Sequence, residues 1–251
     1  MSVNVCTDQL AMMLADDKQL YSVSHLAVDD RVSAMATEAA EYQINFARAE
    51  EIYLMKPDLV LAGAYTARAS VEMLQSFGIK VEIFTPATGV DDVPAKLAQM
   101  GKDLGREAEA EALINDLTDR LDTFRRVVET RPRAAMYFAN GYTTGDRTLA
   151  GQILVAAGFS NIAVEAGYSG GGVLPLEVLA MSDPAIIVSG EKYPGASRSE
   201  AILDHPVVES FADRLNGTET DRDWICGTPF VLRAIDDLAN VRDALGDTAQ
   251  D

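Results

Sequence analysis

Cysteine is scarce in this chain of 251 residues: there are two, Cys6 and Cys226, at opposite ends. That excludes a small scaffold stapled by several disulfides, and neither cysteine belongs to a CxxC pair of the zinc-binding kind. Basic residues are also few, 21 Lys plus Arg against 39 Asp plus Glu, for a net charge of −18. A field of that sign repels phosphate backbones and anionic headgroups, so nucleic acid and membrane surfaces are set aside as partners. No apolar run approaches the roughly 18 residues of a spanning helix, and the longest, such as Leu59 to Ala62, are strand-sized. Nothing resembling a signal peptide precedes Val3, but mature exported chains have lost that segment, so its absence does not fix a location. Neither a GxGxxG nor a Walker loop follows the first strand, which disfavours a nucleotide-binding enzyme.

What is present is an average globular composition, 48% hydrophobic and 24% charged, together with a strand and helix alternation. Val3 to Val5 reads as a strand leading into a helix through Leu10, Met13 and Leu14, with Thr7 or Asp8 as N-cap. Leu20 to Val23 is a second strand, followed by a polar loop. Then come a helix near Ala47 to Met55, stopped by Pro57, the strand Leu59 to Ala62, the helix Ala67 to Phe77 ended by Gly78, and the strand Val81 to Phe84. From about Asp92 to Thr130 the pattern changes to one amphipathic helix, with Leu113, Leu117, Leu121, Phe124 and Val128 along a face and a break expected near Gly101 or Gly105. Alternation resumes with Ala134 to Phe138, Thr148 to Ala157, Ile186 to Val188 and a last helix opened by Thr228 and Pro229. The expected architecture is an α/β lobe over 1–90, a linking long helix over 91–131 and a second α/β lobe over 132–251. An internal echo supports it: Glu50 precedes Pro57 and a strand, and Glu177 precedes Pro184 and a strand, seven residues apart in both halves.

The segments Ala49-Glu50-Glu51-Ile52 through Lys56-Pro57-Asp58-Leu59-Val60-Leu61, Leu176-Glu177-Val178-Leu179 through Asp183-Pro184-Ala185-Ile186-Ile187-Val188, and Phe77-Gly78-Ile79-Lys80-Val81 carry a family resemblance over nearly the whole chain. The chain resembles the substrate-binding proteins of ABC importers for cobalamin, haem and iron-siderophore complexes. The resemblance implies two doubly wound α/β lobes joined by one long α-helix, the class III periplasmic binding protein arrangement. It implies an exported periplasmic receptor, monomeric and without catalysis, that takes a metal chelate between two lobes and hands it to ABC transporter membrane subunits. No cofactor of its own is expected, since any cobalt or iron belongs to the cargo. It also implies that Glu50 and Glu177 dock to transporter arginines, whereas on physical grounds alone a first-turn glutamate only complements the helix dipole.

In open α/β sheets ligands bind beyond the carboxyl ends of the strands. The loops there offer Cys6, Asp8, His25, Tyr65 and Arg68 in the first half, and Asn140, Tyr142, Tyr168, Tyr193, Arg198, Cys226 and Phe230 in the second. Tyrosines suit a large flat ligand because the ring gives apolar area at low entropy cost and keeps a polar tip. Cationic candidates are few, which disfavours a strongly anionic cargo. Three readings stand for Cys6, His25 and Cys226: a disulfide between the cysteines, a thiolate or imidazole ligating the metal of the chelate, or small buried cysteines without a role.

One motif points elsewhere. Gly167-Tyr168-Ser169-Gly170-Gly171 matches GxSxG, and Asp183 and His205 follow in the order of the α/β hydrolases. A serine hydrolase built on Ser169 is therefore the alternative reading, although no clear strand leads into that serine.

Overall fold

A computed structural model describes residues 1–124, 130–190, 197–217 and 222–248. It divides into two compact units, each assembled from separated stretches of chain: unit 1 from 1–87, 91–118 and 225–230, and unit 2 from 88–90, 119–224 and 231–251.

Unit 1 opens with an extended stretch. Ser2 bridges Leu61 in parallel, Val3 N–H donates to the Leu61 carbonyl at 3.0 Å, and Ser2 N–H donates to the Ser22 carbonyl at 2.9 Å. The stretch thereby joins two parallel pairs, β1 (Ser22–Ser24) with β2 (Gln43–Asn45) and β3 (Leu59–Gly63) with β4 (Lys80–Phe84). Parallel neighbours need crossovers, and α1 (Val5–Leu14), α2 (Ala36–Ala39), α3 (Ala49–Met55) and α4 (Arg68–Ser76) supply them. Val3, Ile52, Val60, Ala62 and Leu74 are buried together where these helices meet the sheet.

The first helix begins earlier than its sequence implies. Asn4 is the N-cap, its side-chain oxygen accepting from Cys6 N–H at 3.0 Å, so Val5 is helical and Thr7 and Asp8 lie inside the helix rather than capping it. The β-branched pair Val3 and Val5 reads as strand, but an Asn side chain competes well for the free N–H groups of a first turn.

The linking segment is two helices, α5 (Val93–Leu104) and α6 (Glu107–Phe124). Gly105 separates them in the left-handed conformation, φ 66°, with its N–H turned back to the carbonyls of Gly101 and Lys102. Helix α5 belongs to unit 1, whereas α6 passes from unit 1 to unit 2 between Thr118 and Asp119. Leu117 and Leu121 are buried as the helical spacing predicts, and Val128 lies outside the described residues.

Unit 2 holds a parallel sheet in the order β10-β9-β5-β7, formed by β5 (Arg133–Met136), β7 (Ser160–Asn161), β9 (Ile186–Ser189) and β10 (Leu215–Gly217). A small antiparallel pair, β6 (Tyr142–Thr143) with β8 (Gly172–Val173), stands beside it. The helices are α7 (Leu149–Ala156), α8 (Ile162–Glu165), α9 (Leu176–Ser182), α10 (Pro206–Glu209), α11 (Arg222–Ile225) and α12 (Val231–Thr248). The last helix starts at Val231, so Thr228 and Pro229 occupy the turn before it and not its first turn.

The echo read from the sequence is a structural one. Helices α3 and α9 each have seven residues, each ends on a left-handed residue, Lys56 (φ 51°) and Asp183 (φ 45°), and each is followed by proline and then a central strand. Ile52 and Leu179, the fourth residue of each helix, are both fully buried.

Candidate functional site

The strands of unit 1 run parallel, so the residues that follow them share one edge of the sheet, where ligands of open α/β folds bind. That edge is built on a buried polar layer. The Asn45 amide donates to the Ser2 carbonyl (2.8 Å), Ser22 Oγ (2.8 Å) and the Val23 carbonyl (2.9 Å), and Ser2 Oγ lies 2.8 Å from Thr7 Oγ1. Asp8 is wholly buried and accepts from Ser24 N–H at 3.1 Å and Ser24 Oγ–H at 2.5 Å. Desolvation outweighs these hydrogen bonds and pushes its carboxyl up to about 6. The expectation that Asp8 touches ligand is therefore corrected: one helical turn inside α1, it anchors Ser24, the residue before His25.

Above this layer the rim is aromatic. His25 stacks on Phe46, with ring centroids 5.1 Å apart and planes 21° from parallel, and the Arg48 guanidinium lies 5.8 Å from the Phe46 centroid. Phe46 is 55% exposed and Tyr65, at the tip of the turn after β3, is 88% exposed. Arg68 is exposed but engaged, pairing with Glu72 at 2.6 Å across one helical turn. Phe46 and Arg48 escape a sequence reading because Gln43-Ile44-Asn45 carries too little apolar character to announce the strand that ends just before them.

Cys6 and Cys226 form a disulfide, with Cα atoms 5.1 Å apart. Both lie in unit 1, because residues 225–230 belong to that unit although the stretches on either side of them belong to unit 2. The bond withdraws both sulfurs from the thiolate reading, and Cys226 is buried, with the Gln9 amide donating to its Sγ at 3.7 Å. Phe230, in the same returning segment, is partly buried.

In unit 2 the corresponding edge follows β5 and β9. Asn140 adopts a left-handed conformation (φ 57°), and its N–H donates to the Ser199 carbonyl at 2.6 Å, bringing the Arg198–Ser199 loop beside it. Arg198 is exposed. Tyr142 is half exposed and pairs with Val173 across the small ribbon. Tyr168 is partly buried against the core of this unit. Tyr193 lies outside the described residues.

The glycine run has a steric purpose here. A Cβ on Gly171 would sit 2.8 Å from the Tyr142 hydroxyl, and one on Gly172 would sit 2.7 Å from the Tyr168 ring. The glycines are seats for two tyrosine rings. Ser169 is in a turn between α8 and β8, without the strand-to-helix elbow that exposes a hydrolase nucleophile. Its supposed partners hold other positions: Asp183 ends α9 and pairs with Arg214, while His205 Nδ1 accepts from Val207 N–H at 3.2 Å as the N-cap of α10.

A cavity of about 810 Å³ in unit 2 lies at the opposite edge of its sheet, lined by Arg133, Pro184, Ile186, Arg214, Val241 and Leu245. Its arginines are already paired, Arg133 with Glu165 at 2.5 Å and Arg214 with Asp183. Among the described residues no group of three or more His, Cys, Asp or Glu is arranged to hold a metal ion, and no helix is long and apolar enough to cross a membrane.

The fold is that of two α/β units, each built on parallel strands. Residues 2–212 match the family described as periplasmic binding protein, and the chain belongs to that family. A cobalamin-binding protein of Halobacterium salinarum is 30% identical over 194 residues, 75% of this chain and 53% of the relative. A vitamin B12-binding protein of Pectobacterium carotovorum is 28% identical over 148 residues, 56% of this chain and 53% of the relative. The chain thus spans about half the length of these curated relatives. Among solved structures, the periplasmic haem-binding protein HutB of Vibrio cholerae superposes with a TM-score of 0.79 at 14% identity, covering 96% of both chains. The vitamin B12-binding protein BtuF of the same organism gives 0.69 at 15% identity, covering 98% of this chain and 96% of its own. At such identities the likeness is one of fold. Family and relatives are binding proteins rather than enzymes.

Proposed function

We propose that this chain is an extracytoplasmic solute receptor that binds a metal chelate of the cobalamin, haem or ferric-siderophore kind and delivers it to an ABC importer, with a corrinoid as the leading cargo. The observation that carries the reading is that each unit of this periplasmic binding protein family member exposes aromatic side chains in the segments that follow its parallel strands, His25 with Phe46 and Tyr65 in unit 1 and Tyr142 in unit 2. Flat, largely apolar rings match the faces of a macrocycle. A corrinoid is preferred because curated relatives are cobalamin- and vitamin B12-binding proteins and because the described residues of the rim form no dense cationic clamp of the kind a polyanionic chelate would require. A disulfide inside unit 1 supports maturation in an oxidising compartment.

The carboxylates of Glu50 and Glu177 serve as docking anchors for the importer's membrane subunits. Both are exposed, and both stand in the first turn of the paired helices α3 and α9. Thermal shift with cyanocobalamin, haemin and ferrichrome tests the cargo. Stabilisation by cyanocobalamin is expected, stabilisation by haemin or ferrichrome alone would move the cargo within the class, and no response to any of them would overturn the receptor reading.

A further inference from the structure

The two most exposed large aliphatic side chains among the described residues are Leu54, at 76%, and Met181, at 86%. An isolated exposed Leu or Met is ordinary and needs no explanation. These two are not independent, however. Leu54 is the sixth residue of α3 and Met181 the sixth residue of α9, each four residues after the glutamate at the second position. Residues at i and i+4 lie on one helix face with their Cβ atoms about 5–6 Å apart. Each unit therefore presents the same exposed pair, a carboxylate and an unbranched or γ-branched apolar knob one turn further on, while Ile52 and Leu179 bury the opposite face in both helices.

We infer that Leu54 and Met181 are apolar docking knobs for a membrane partner built of two like subunits, each of which presents a cation beside an apolar pocket. The inference rests on the docking role proposed for Glu50 and Glu177. A carboxylate in water steers encounter and sets register but adds little affinity. A side chain that moves from solvent into a pocket supplies the missing attraction, about tenfold or more in affinity for one Leu or Met. Repetition in the two units is what a partner with two equal sites calls for. The glutamate one turn before each knob, on a chain of net charge −18, is complemented by a pocket with a basic border.

The test uses the full chain and proteoliposomes holding the importer's membrane and nucleotide-binding subunits, recovered from source membranes with this chain as bait. Leu54→Ser with Met181→Ser is expected to leave cyanocobalamin affinity and melting temperature unchanged and to weaken binding to the proteoliposomes by about tenfold per knob. Leu54→Met with Met181→Leu, which keeps apolar bulk, is expected to bind like the parent. If the serine variants dock normally while Glu50→Ala and Glu177→Ala do not, the knobs have no role and the inference falls, with the docking reading intact. If all four residues are indifferent, the docking reading itself falls. Sedimentation velocity adds a further outcome: self-association abolished by Leu54→Ser would assign the knobs to a second copy of the chain and overturn the inference.

Discussion

Cys6, in the first turn of α1, is bonded to Cys226, 220 residues further along the chain, so the segment 225–230 is fastened to unit 1 covalently as well as by packing. Constraining so long a loop removes denatured-state entropy worth on the order of 5 kcal/mol in the chain-entropy picture. Reduction, or Cys6→Ser with Cys226→Ser, should therefore lower the melting temperature by many degrees. Unchanged melting with and without dithiothreitol would show that the bond contributes nothing to stability.

A second prediction concerns pH. The Asp8 carboxyl is pushed up to about 6 in the fold, above its ordinary 3.8, because burial penalises the charge more than Ser24 stabilises it. The folded state thus binds the proton more tightly than the unfolded chain, and this contribution is full below about pH 4 and lost as pH rises through 6. At about 1.4 kcal/mol per tenfold change in proton affinity, the loss is on the order of 3 kcal/mol. Urea denaturation between pH 4 and 7 should show that component of the slope in the parent and lack it in Asp8→Asn. Identical slopes would contradict it.

The rim is tested at Phe46. Its ring is half in solvent, so Phe46→Ala should change folding stability by no more than about 0.5 kcal/mol. If Phe46 supports His25 against a macrocycle, the same variant should weaken cyanocobalamin binding about tenfold, as truncated aromatic anchors do. Calorimetric titration distinguishes the two effects, and undiminished affinity would remove the pair from the site.

The carboxylates give a complementary pattern. Glu50→Ala and Glu177→Ala should leave ligand affinity alone and reduce import, the double variant more than either single one. Proportional loss of ligand binding would mean instead that they belong to the pocket or to the fold.

The repeated unit of helix, proline and strand was legible in the sequence because Pro57 and Pro184 stop helices sharply and the strands behind them are continuous apolar runs. The break at Gly105 was legible for a similar reason, since glycine takes a left-handed cap without strain. The start of α1 was not, because a single Asn cap overrode the strand propensity of its valine neighbours. The candidate site was legible as loops rather than as contacts. His25 and Tyr65 follow β1 and β3 and are exposed, but Asp8 turned inward to a serine, the cysteines found one another, and Phe46 was hidden behind a strand of polar residues. Which of several side chains on one loop faces outward depends on packing from distant segments, and no local pattern records that.

Unit 1 takes its last piece from residues 225–230, which lie between two stretches that belong to unit 2. A ribosome delivers that piece only after nearly everything else has been made. Neither half can therefore mature as a finished module while the rest of the chain is still being synthesised, and the two must be completed together, late, and from a polypeptide that is still largely open. The Cys6–Cys226 bond draws on that same late segment, so it can close only when nearly the whole chain has been made.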